Sequence, residues 1–438
     1  MKAFVLLTIS ICLFYKQQAQ NIKVYFNQSV DNSVSVLTDA KTSSHLDDTI
    51  CALINSATAT LDMAVWDNGS TKIVTAINNA YTRGVLVRYI SSTNSTNTAL
   101  SGLNANIPLL KRSSVLTSNV MHNKFIVVDN TKLLMGSMNF GNGSMFNDYN
   151  NVVMVSNTGL AQNYTIEFNE MWGSSGATPN NSNSKFGPAK TDNTLHSFSI
   201  GGISVESYFS PTDNTTVKMV NAINSANYSL DIAMFTFTNN DLGDAVVAAK
   251  NRGVNVRCII ENVSYFGSEY NKLVNAGIAV ISHENSTYDF HHKYCIIDAV
   301  NASSDPIVVT GSHNWTNSAE DEYDENTLMI HDVTIANQYL EEYTKRYTDL
   351  APVGINEFST DKRLIVYPNP NKGTFRITSN LKDINTLQVI NTLGEVVYVA
   401  NANTMYQNNL ISLDLKQGIY FVQIVTNTKT ILEKVIVE

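Results

Sequence analysis

Cysteine is scarce in this chain of 438 residues, with four in all. Cys12 sits in an N-terminal apolar run, which leaves Cys51, Cys258 and Cys295, an odd number without clustered spacing. That argues against a disulfide framework and against a zinc site. The segments around Cys258 and Cys295 read as core strands, so these thiols are expected to be small buried hydrophobes. Long apolar runs are also missing: beyond the first residues nothing is apolar enough to cross a membrane. Basic residues are in deficit, with 19 Lys and Arg against 32 Asp and Glu on residues 21–360, a net charge of −13. Such a body is a poor non-specific binder of polyanions, though it leaves room for a local basic cleft.

What is present begins with Lys2, the apolar run Ala3 to Phe14, and Gln18-Ala19-Gln20. This order reads as a secretory signal over residues 1–20, too short to span a bilayer. The main organising fact is an internal duplication. Ile54-Asn55-Ser56-Ala57 returns as Ile223-Asn224-Ser225-Ala226, and Leu61-Asp62-Met63-Ala64 as Leu230-Asp231-Ile232-Ala233. Arg83-Gly84-Val85 returns as Arg252-Gly253-Val254, and Val87-Arg88 as Val256-Arg257, all at an offset of 169. Past Asp298 the offset becomes 175, so the second copy carries a six-residue insertion within Ala299–Thr310. Its turn-like composition marks a surface loop.

Each copy alternates amphipathic stretches with short apolar runs, the rhythm of an α/β sheet covered on both faces. The Gly-, Ser-, Asn- and Pro-rich residues 173–194 read as a linker or surface loop between the copies. The expected division is a signal at 1–20, a first repeat at 21–172, a linker at 173–194 and a second repeat at 195–350. A second linker at 351–362 then leads to a region at 363–438. That last region holds short alternating runs separated by turn residues and predicts a small all-β sandwich.

The pattern His-x-Lys-x4-Asp occurs once in each copy. The first is His122, Lys124, Asp129, followed by Gly136-Ser137-Met138-Asn139. The second is His291, Lys293, Asp298, followed by Gly311-Ser312-His313-Asn314. One His-x-Lys means little; two in register bring the same groups in the same order. Strand alternation puts His122 and Lys124 on one face, and likewise His291 and Lys293. Halves packed about a pseudo-twofold axis would face two imidazoles across a cleft flanked by two ammonium groups. Asn139, Asn314, Ser137 and Ser312 would add donors, making a pocket for a tetrahedral oxyanion. One histidine can attack phosphorus while the other protonates the leaving oxygen. No metal or other cofactor is called for, because lysines and amides neutralise the developing charge.

The spacing His-x-Lys-x4-Asp-x6-Gly-Ser-x-Asn, with its partner in the second copy, resembles the phospholipase D superfamily over roughly residues 25–350. The resemblance implies two pseudo-symmetric αβα halves sharing one active site, and a covalent phosphohistidine intermediate. It implies His122 as nucleophile and His291 as general acid, then as the base that activates water. Lys124, Lys293, Asn139 and Asn314 would hold phosphate oxygens, with Asp129 and Asp298 structural and Ser137 and Ser312 supporting. Family members usually carry an acid shortly after the Gly-Ser-x-Asn, contacting the histidine of the opposite half. The second copy supplies Glu325, which would orient His122. The aligned first-copy residue is Asn150, which would face His291, with Asp148 nearby at the wrong spacing. An amide can orient an imidazole but cannot favour its charged form as a carboxylate does.

Other residues carry competing readings. His283 and His292 lie near His291, but adjacent strand residues point to opposite faces, so a three-histidine metal site is disfavoured. Trp66 and Phe235 could stack on a ligand, although core filling is the commoner role. Trp315 is expected to pack under the site. His313 could line the cleft or face water. Arg88 and Arg257 could guide phosphate or sit at helix–sheet surfaces.

In the last region, Tyr367-Pro368-Asn369-Pro370, Gly373-Thr374-Phe375, Asn391-Thr392-Leu393-Gly394 and Leu413 to Phe421 precede Lys434-Val435-Ile436-Val437. This order resembles the C-terminal sorting domain of the type IX secretion system. It implies export after a Sec-type signal, to the medium or the cell surface, with that machinery as partner. The substrate expected is a phospholipid whose head-group phosphodiester is hydrolysed. A non-specific nuclease on DNA or RNA is a close rival, and a catalytically degenerate surface binding protein a third reading.

Overall fold

The structure is a computed structural model that describes residues 21–113, 120–284, 286–299, 301, 303–350, 364–379, 384–392, 394–401, 410–426 and 430–438. The expected signal at 1–20 and the linker at 351–362 lie outside the described residues. By contacts the chain divides into two compact units, one ending at Ala351 and one beginning at Pro352.

The first copy runs β1 (Ile22–Phe26), β2 (Lys41–Thr42), α1 (Leu46–Asn55), β3 (Thr60–Val65), α2 (Thr71–Thr82), β4 (Leu86–Ser92) and β5 (Leu109–Arg112). It continues with β6 (Lys124–Val128), β7 (Lys132–Gly136), α3 (Asn142–Phe146), β8 (Asn151–Ser156) and α4 (Thr158–Trp172). The second runs β9 (Ser197–Ile200), β10 (Ile203–Ser210), α5 (Thr215–Ser225), β11 (Ser229–Met234), α6 (Asn240–Asn251), β12 (Asn255–Ile260), α7 (Tyr270–Asn275) and β13 (Ala279–Ser282). It closes with β14 (Lys293–Ile297), β15 (Ile307–Gly311), α8 (Asn317–Asp321), β16 (Glu325–His331) and α9 (Val333–Leu350).

Each copy builds one eight-stranded sheet, ordered β2-β1-β8-β7-β6-β3-β4-β5 and β13-β12-β11-β14-β15-β16-β10-β9. Read from opposite ends, the two orders coincide except at the last strand. In both, three parallel strands join an antiparallel ladder at the motif strand, β6 or β14. Helices α1 and α2 cover the outer face of the first sheet through Leu46, Ile50, Ile54, Ile73 and Ile77. Helices α5 and α6 do the same for the second through Met219, Ile223, Leu242 and Val246. The inner faces meet around α4 and α9, where Tyr164, Phe168 and Trp172 share a core with Tyr339 and Tyr343. Because one core serves both inner faces, the two copies form a single body rather than two beads.

Most of the repeated words in the sequence are structural devices. Asp62 pairs with Arg88 at 2.6 Å and Asp231 with Arg257 at 2.7 Å, each joining neighbouring parallel strands. The two arginines are thus committed to ion pairs. Arg83 and Arg252 reach back to carbonyls at and just past the ends of α1 and α5, Ile54 and Ala57 in one and Ile223 and Ala226 in the other. The glycine after each arginine has φ of +89° or +94°, a left-handed turn that disfavours other residues. Ser70 and Asn239, 169 apart, cap α2 and α6 through Ile73 N and Leu242 N.

The segment between the copies is more than a surface loop. The Lys190 ammonium is fully buried against Glu167 at 2.5 Å and lies 3.3 Å from Asp324. Gly187 N donates to Asp324 Oδ1 at 2.7 Å, and Arg112 binds the other carboxylate oxygen at 2.7 Å. The segment therefore locks the first copy to the residue preceding Glu325.

The C-terminal unit is all-β. One sheet joins β17 (Leu364–Tyr367), β18 (Thr374–Ser379) and β21 (Leu410–Ser412); between the latter two in sequence come β19 (Ile384–Asn391) and β20 (Val396–Asn401). Those two pair with β22 (Gly418–Thr426) and β23 (Thr430–Val437) in the order β20-β19-β22-β23. Phe375, Ile377, Leu387, Val389, Val422, Ile424 and Val435 fill its core. The alternation read from the sequence matches this packing.

Candidate active site

His122 and His291 lie two residues before Lys124 and Lys293, which open β6 and β14. The aspartate of each motif sits at the far end of its strand in a left-handed conformation, φ +51°. Asp129 accepts the backbone N–H groups of Thr58, Ala59 and Thr60 at 2.7–3.2 Å. Asp298 accepts those of Asn227, Tyr228 and Ser229 at 2.8–3.0 Å. Both bind the entrance of β3 or β11, so they fix the register of the strand beside the motif and lie away from the histidines. Their carboxyls fall below the ordinary range: burial would raise them, and these hydrogen bonds overcome it.

At the near end the copies exchange partners. The backbone N–H of His122 donates to Asp324 O at 3.0 Å, and Tyr149 N donates to Asp289 O at 2.8 Å. These crossings place Glu325 of β16 against His122 and Asn150, just before β8, against His291. The Glu325 Oε1 to His122 Nδ1 distance is 2.7 Å, and Asn150 Oδ1 to His291 Nδ1 is 3.0 Å. A second pair of ties lies behind: Asn326 Nδ2 donates to Asn123 Oδ1 at 2.7 Å, and His292 Nδ1 lies 3.4 Å from Asn151 Oδ1.

The orientation of Asn150 is settled by its other bonds. Its Nδ2 donates to the Ser144 carbonyl and hydroxyl at 3.0 and 3.1 Å, and its Oδ1 accepts from Ser137 Oγ at 2.8 Å. The oxygen therefore faces His291, whose Nδ1–H donates to it. Ser312 Oγ donates to Glu325 Oε2 in the corresponding place, so each serine supports a partner residue rather than the substrate side. With both Nδ1 atoms engaged, each imidazole keeps Nε2 for chemistry. Asp148 accepts from Asp289 N at 3.2 Å instead of taking the place of Asn150.

Lys124 Nζ donates to its own histidine's carbonyl at 2.6 Å, and Lys293 Nζ does so at 2.8 Å. An ammonium has three donors, so each retains capacity for an anion. The amide oxygens of Asn139 and Asn314 are buried without a partner. Turning either amide by 180° would present a donor at the same point.

Electrostatics follow from two lysines and two imidazoles in a dry place. Burial, together with the Lys124 and Lys293 charges, pushes His122 down to about 4 against the pull of Glu325. Burial lowers His291 well below the ordinary histidine value; Lys293, Lys124 and His122 add to the effect. Lys124 falls to about 7, mainly by burial, with Glu325 and Asp67 opposing. Lys293 is likewise depressed. Burial would raise Glu325, but His122 and Lys124 hold it below the usual carboxylate range. The described side chains leave the site short of negative charge, which an anionic ligand would supply.

Trp66 and Phe235 are half-buried walls of the site instead of core fillers. Trp66 meets His122 edge-on at 5.3 Å and lies 5.4 Å from Lys124 Nζ. Phe235 lies 4.8 Å from both the His291 ring and Lys293 Nζ. Core filling was the commoner expectation; their position one residue past β3 and β11 carries them out of the core. Tyr323, which the sequence did not single out, has its ring 6.3 Å from His122. Its only signal was adjacency to Asp324-Glu325. Trp315 packs edge-on against Phe237 beneath the site. His313 does not face water: it is 3% exposed, with Nε2 3.5 Å from Glu320.

The three neighbouring histidines do not converge on one point. His283 binds Glu261 at 2.6 Å, His292 binds Glu342 at 3.1 Å, and His291 binds Asn150. Two other groups among the described residues bring ligand atoms together, His45 with Asp47 and Asp48, and Asp192 with His196 and Asp213. Lys72 already bridges the two carboxylates of the first at 2.6 Å. In the second, Asp213 accepts Phe209 N and His196 contacts Asp192. Neither includes a motif residue.

Comparison with known proteins gives two family matches. Residues 50–172 and 219–347 match the family described as cardiolipin synthase, PLD-like domain. Residues 365–438 match the secretion system C-terminal sorting domain. The mitochondrial cardiolipin hydrolase of Xenopus tropicalis is 32% identical over 149 residues, covering 34% of this chain and 68% of that protein. The match to the Chlamydomonas reinhardtii protein of the same name is 32% identical and spans 59% of it. Among solved structures, phosphatidylserine synthase of Haemophilus influenzae Rd KW20 aligns over 76% of this chain and 89% of that one. Its TM-score is 0.51 at 13% identity, a likeness of fold alone.

Proposed function

This chain belongs to the phospholipase D-like family of cardiolipin synthase, and on that premise we propose that it hydrolyses the head-group phosphodiester of a phospholipid through a phosphohistidine. Family membership makes it a hydrolase of the phosphodiesterase class; the bond cut and the residue roles are our inference. The phosphate would sit between Lys124 and Lys293, with Asn139 and Asn314 at its oxygens. His122, neutral and with Nδ1–H on Glu325, attacks phosphorus through Nε2. The bond from phosphorus to the head-group oxygen breaks, and that oxygen takes the Nε2 proton of His291. Glu325 compensates the positive charge that the phosphorylated ring acquires. Water then attacks the phosphohistidine, giving its proton to His291, and phosphatidate leaves with His122 neutral again.

The single observation supporting this assignment is the exchange of partners across the copies. It gives the anionic partner, Glu325, to His122 and the neutral one, Asn150, to His291. A nucleophile that becomes cationic gains from a carboxylate. An acid is stronger beside an amide, and a bound phosphodiester would lift its pKa enough to hold the proton.

Residues 365–438 are a type IX C-terminal sorting domain, which indicates export to the medium or the cell surface. We infer that residues 1–20 direct the first membrane crossing and that the sorting domain engages the outer-membrane machinery. The test is incubation in EDTA with phosphatidylcholine vesicles, and separately with plasmid and single-stranded DNA, followed by search for a phosphorylated peptide containing Met121 to Lys124. Released head group and a labelled His122 are expected. DNA cleavage with intact lipid would replace the lipid reading by the nuclease one, and inactivity on every substrate would favour a degenerate binding protein.

A further inference from the structure

An aromatic loop grows from the rim of this site and faces solvent. It spans residues 261–269, between β12 and α7, and is rooted beside the wall of His291. Glu261 N donates to Met234 O at 3.1 Å, and Asn262 N to Phe235 O at 3.0 Å. Its far end is fastened by Glu269 N to Phe237 O at 3.0 Å, and Ser264 is held by Glu284. Between these anchors Ser268 N closes a turn onto Tyr265 O, and Gly267 takes φ +80°. The turn leaves Tyr265 62% exposed and Phe266 97% exposed. Tyr288, 47% exposed, stands on the neighbouring segment that leads into His291. Tyr265 is also close enough to Tyr323 to influence its phenol, and Tyr323 lies beside His122. The exposed rings thus stand on segments rooted beside Phe235 and leading into His291, with Tyr265 near the Tyr323 that borders His122.

An apolar tip on a well-anchored loop is costly in water unless it has a partner. The charges around it choose that partner. Between residues 261 and 292 the acids are Glu261, Glu269, Glu284 and Asp289, while the one base is Lys272. That lysine is taken by Asp244 and Glu269 at 2.9 and 2.7 Å. Asp321 and Glu322 directly precede Tyr323, and residues 21–360 carry a net −13. A surface this acidic is repelled by nucleic acid and by anionic bilayers. Tyr and Phe, in contrast, settle at the boundary between head groups and acyl chains.

We propose that Tyr265 and Phe266, with Tyr288 on the segment leading into His291, form an interfacial anchor that docks the catalytic cleft on a zwitterionic phospholipid surface. This rests on the phospholipase reading for its purpose but not for its test. The full chain and a Tyr265→Ser, Phe266→Ser double variant are mixed with sedimenting vesicles of phosphatidylcholine and phosphatidylethanolamine, or the same lipids with phosphatidylglycerol. Hydrolysis of the vesicles and of the soluble diester bis(4-nitrophenyl) phosphate is followed in parallel. A phenyl side chain moved from water to an apolar phase is worth at least about tenfold in partition, so the variant is expected to bind zwitterionic vesicles about tenfold less. It should lose vesicle hydrolysis in proportion and keep the soluble reaction. Unchanged partition, or tighter binding of wild type to the anionic vesicles, would overturn the anchor. Loss of self-association in the variant, with partition unchanged, would overturn it in favour of a second copy. If wild type partitions as expected yet leaves lipid intact, the anchor stands and the phospholipase reading falls. If it cleaves lipid and the variant partitions equally, the reverse holds.

Discussion

Replacing Asn150 with Asp gives His291 the anionic partner that His122 already has. The amide oxygen lies 3.0 Å from His291 Nδ1, so a carboxylate there would contact the ring directly. An opposite charge at this range raises a pKa by about one to three units. A Coulomb estimate at an effective dielectric constant of about 20, with charge centres about 4 Å apart, is about 4 kcal/mol, which sets the upper end of that range. Part of this is offset locally. Asn150 Nδ2 donates to the Ser144 carbonyl at 3.0 Å, and a carboxylate cannot. The Ser144 carbonyl keeps its bond from Asn27 Nδ2 at 3.3 Å, so losing the other would cost about 1 kcal/mol of stability, and the variant should melt slightly lower and still fold.

The readout is the pH dependence of kcat on a soluble diester. His291 must carry a proton to release the head group, so the rate falls as pH rises through its pKa in the complex. Raising that pKa moves the falling limb to higher pH by about one to three units. The rising limb belongs to His122, which must be neutral, and Glu325 is untouched, so that limb should stay in place. The reasoning is refuted if the falling limb does not move in a variant that folds. A shift confined to the rising limb would mean that the two histidines hold each other's roles.

Four further outcomes follow from the same geometry. His122→Ala should abolish labelling of the Met121–Lys124 peptide and lower kcat by at least about a thousandfold, as loss of a nucleophile does; wild-type rates would reject the assignment. Inorganic phosphate or tungstate should bind at pH 7 with net proton uptake, because Lys124 sits at about 7 and His291 below its ordinary value. Calorimetry in two buffers of different ionisation enthalpy measures that uptake, and none would contradict the depressed values. Asp298→Ala removes the acceptor for three backbone N–H groups from a left-handed position, and should cost about 3 kcal/mol in urea unfolding, with little change in KM. Since Asp129 and Asp298 are depressed in the folded protein, the stability they confer is present above the unfolded carboxylate value near about 4 and is lost as pH falls through their folded values, to be read in acid melts.

The duplication made the site legible because most repeated words serve one physical purpose each. Asp62 and Asp231 had to recur with Arg88 and Arg257, since a buried carboxylate without its guanidinium is costly. The motif aspartates recur because each strand entrance needs its three N–H groups satisfied. What did not read through was direction. The sequence put Trp66 and Phe235 at strand ends but could not tell that the chain turns there and leaves the rings against the histidines. Lys190 looked like part of a polar linker, because its partners Glu167 and Asp324 come from distant parts of the chain. The equivalent strands β1 and β10 escaped notice too. Each pairs with the strand that carries the Asn150 or Glu325 end of its sheet, at a separation no local pattern spans.

Fusion of the copies in one chain permits a difference that a strictly symmetric pair could not hold. Identical halves would give both histidines the same partner and the same intrinsic pKa, and repulsion would keep off the second proton without choosing which ring holds the first. Here the surroundings differ at the position that hydrogen-bonds Nδ1 of each ring. Glu325 is buried, held by Ser312 and set against His122; Asn150 is buried, held by Ser137 and Ser144 and set against His291. The carboxylate stabilises a ring that must become cationic when phosphorylated, whereas the amide fixes a tautomer and leaves the second ring willing to lose its proton. Restoring a carboxylate at position 150 would narrow that difference. Removing the one at position 325 would erase it from the other side, so Glu325→Gln should slow formation of the phosphohistidine more than its hydrolysis. Rapid-quench measurement of a smaller burst with an unchanged breakdown rate would meet that expectation, and an equal loss in both steps would not.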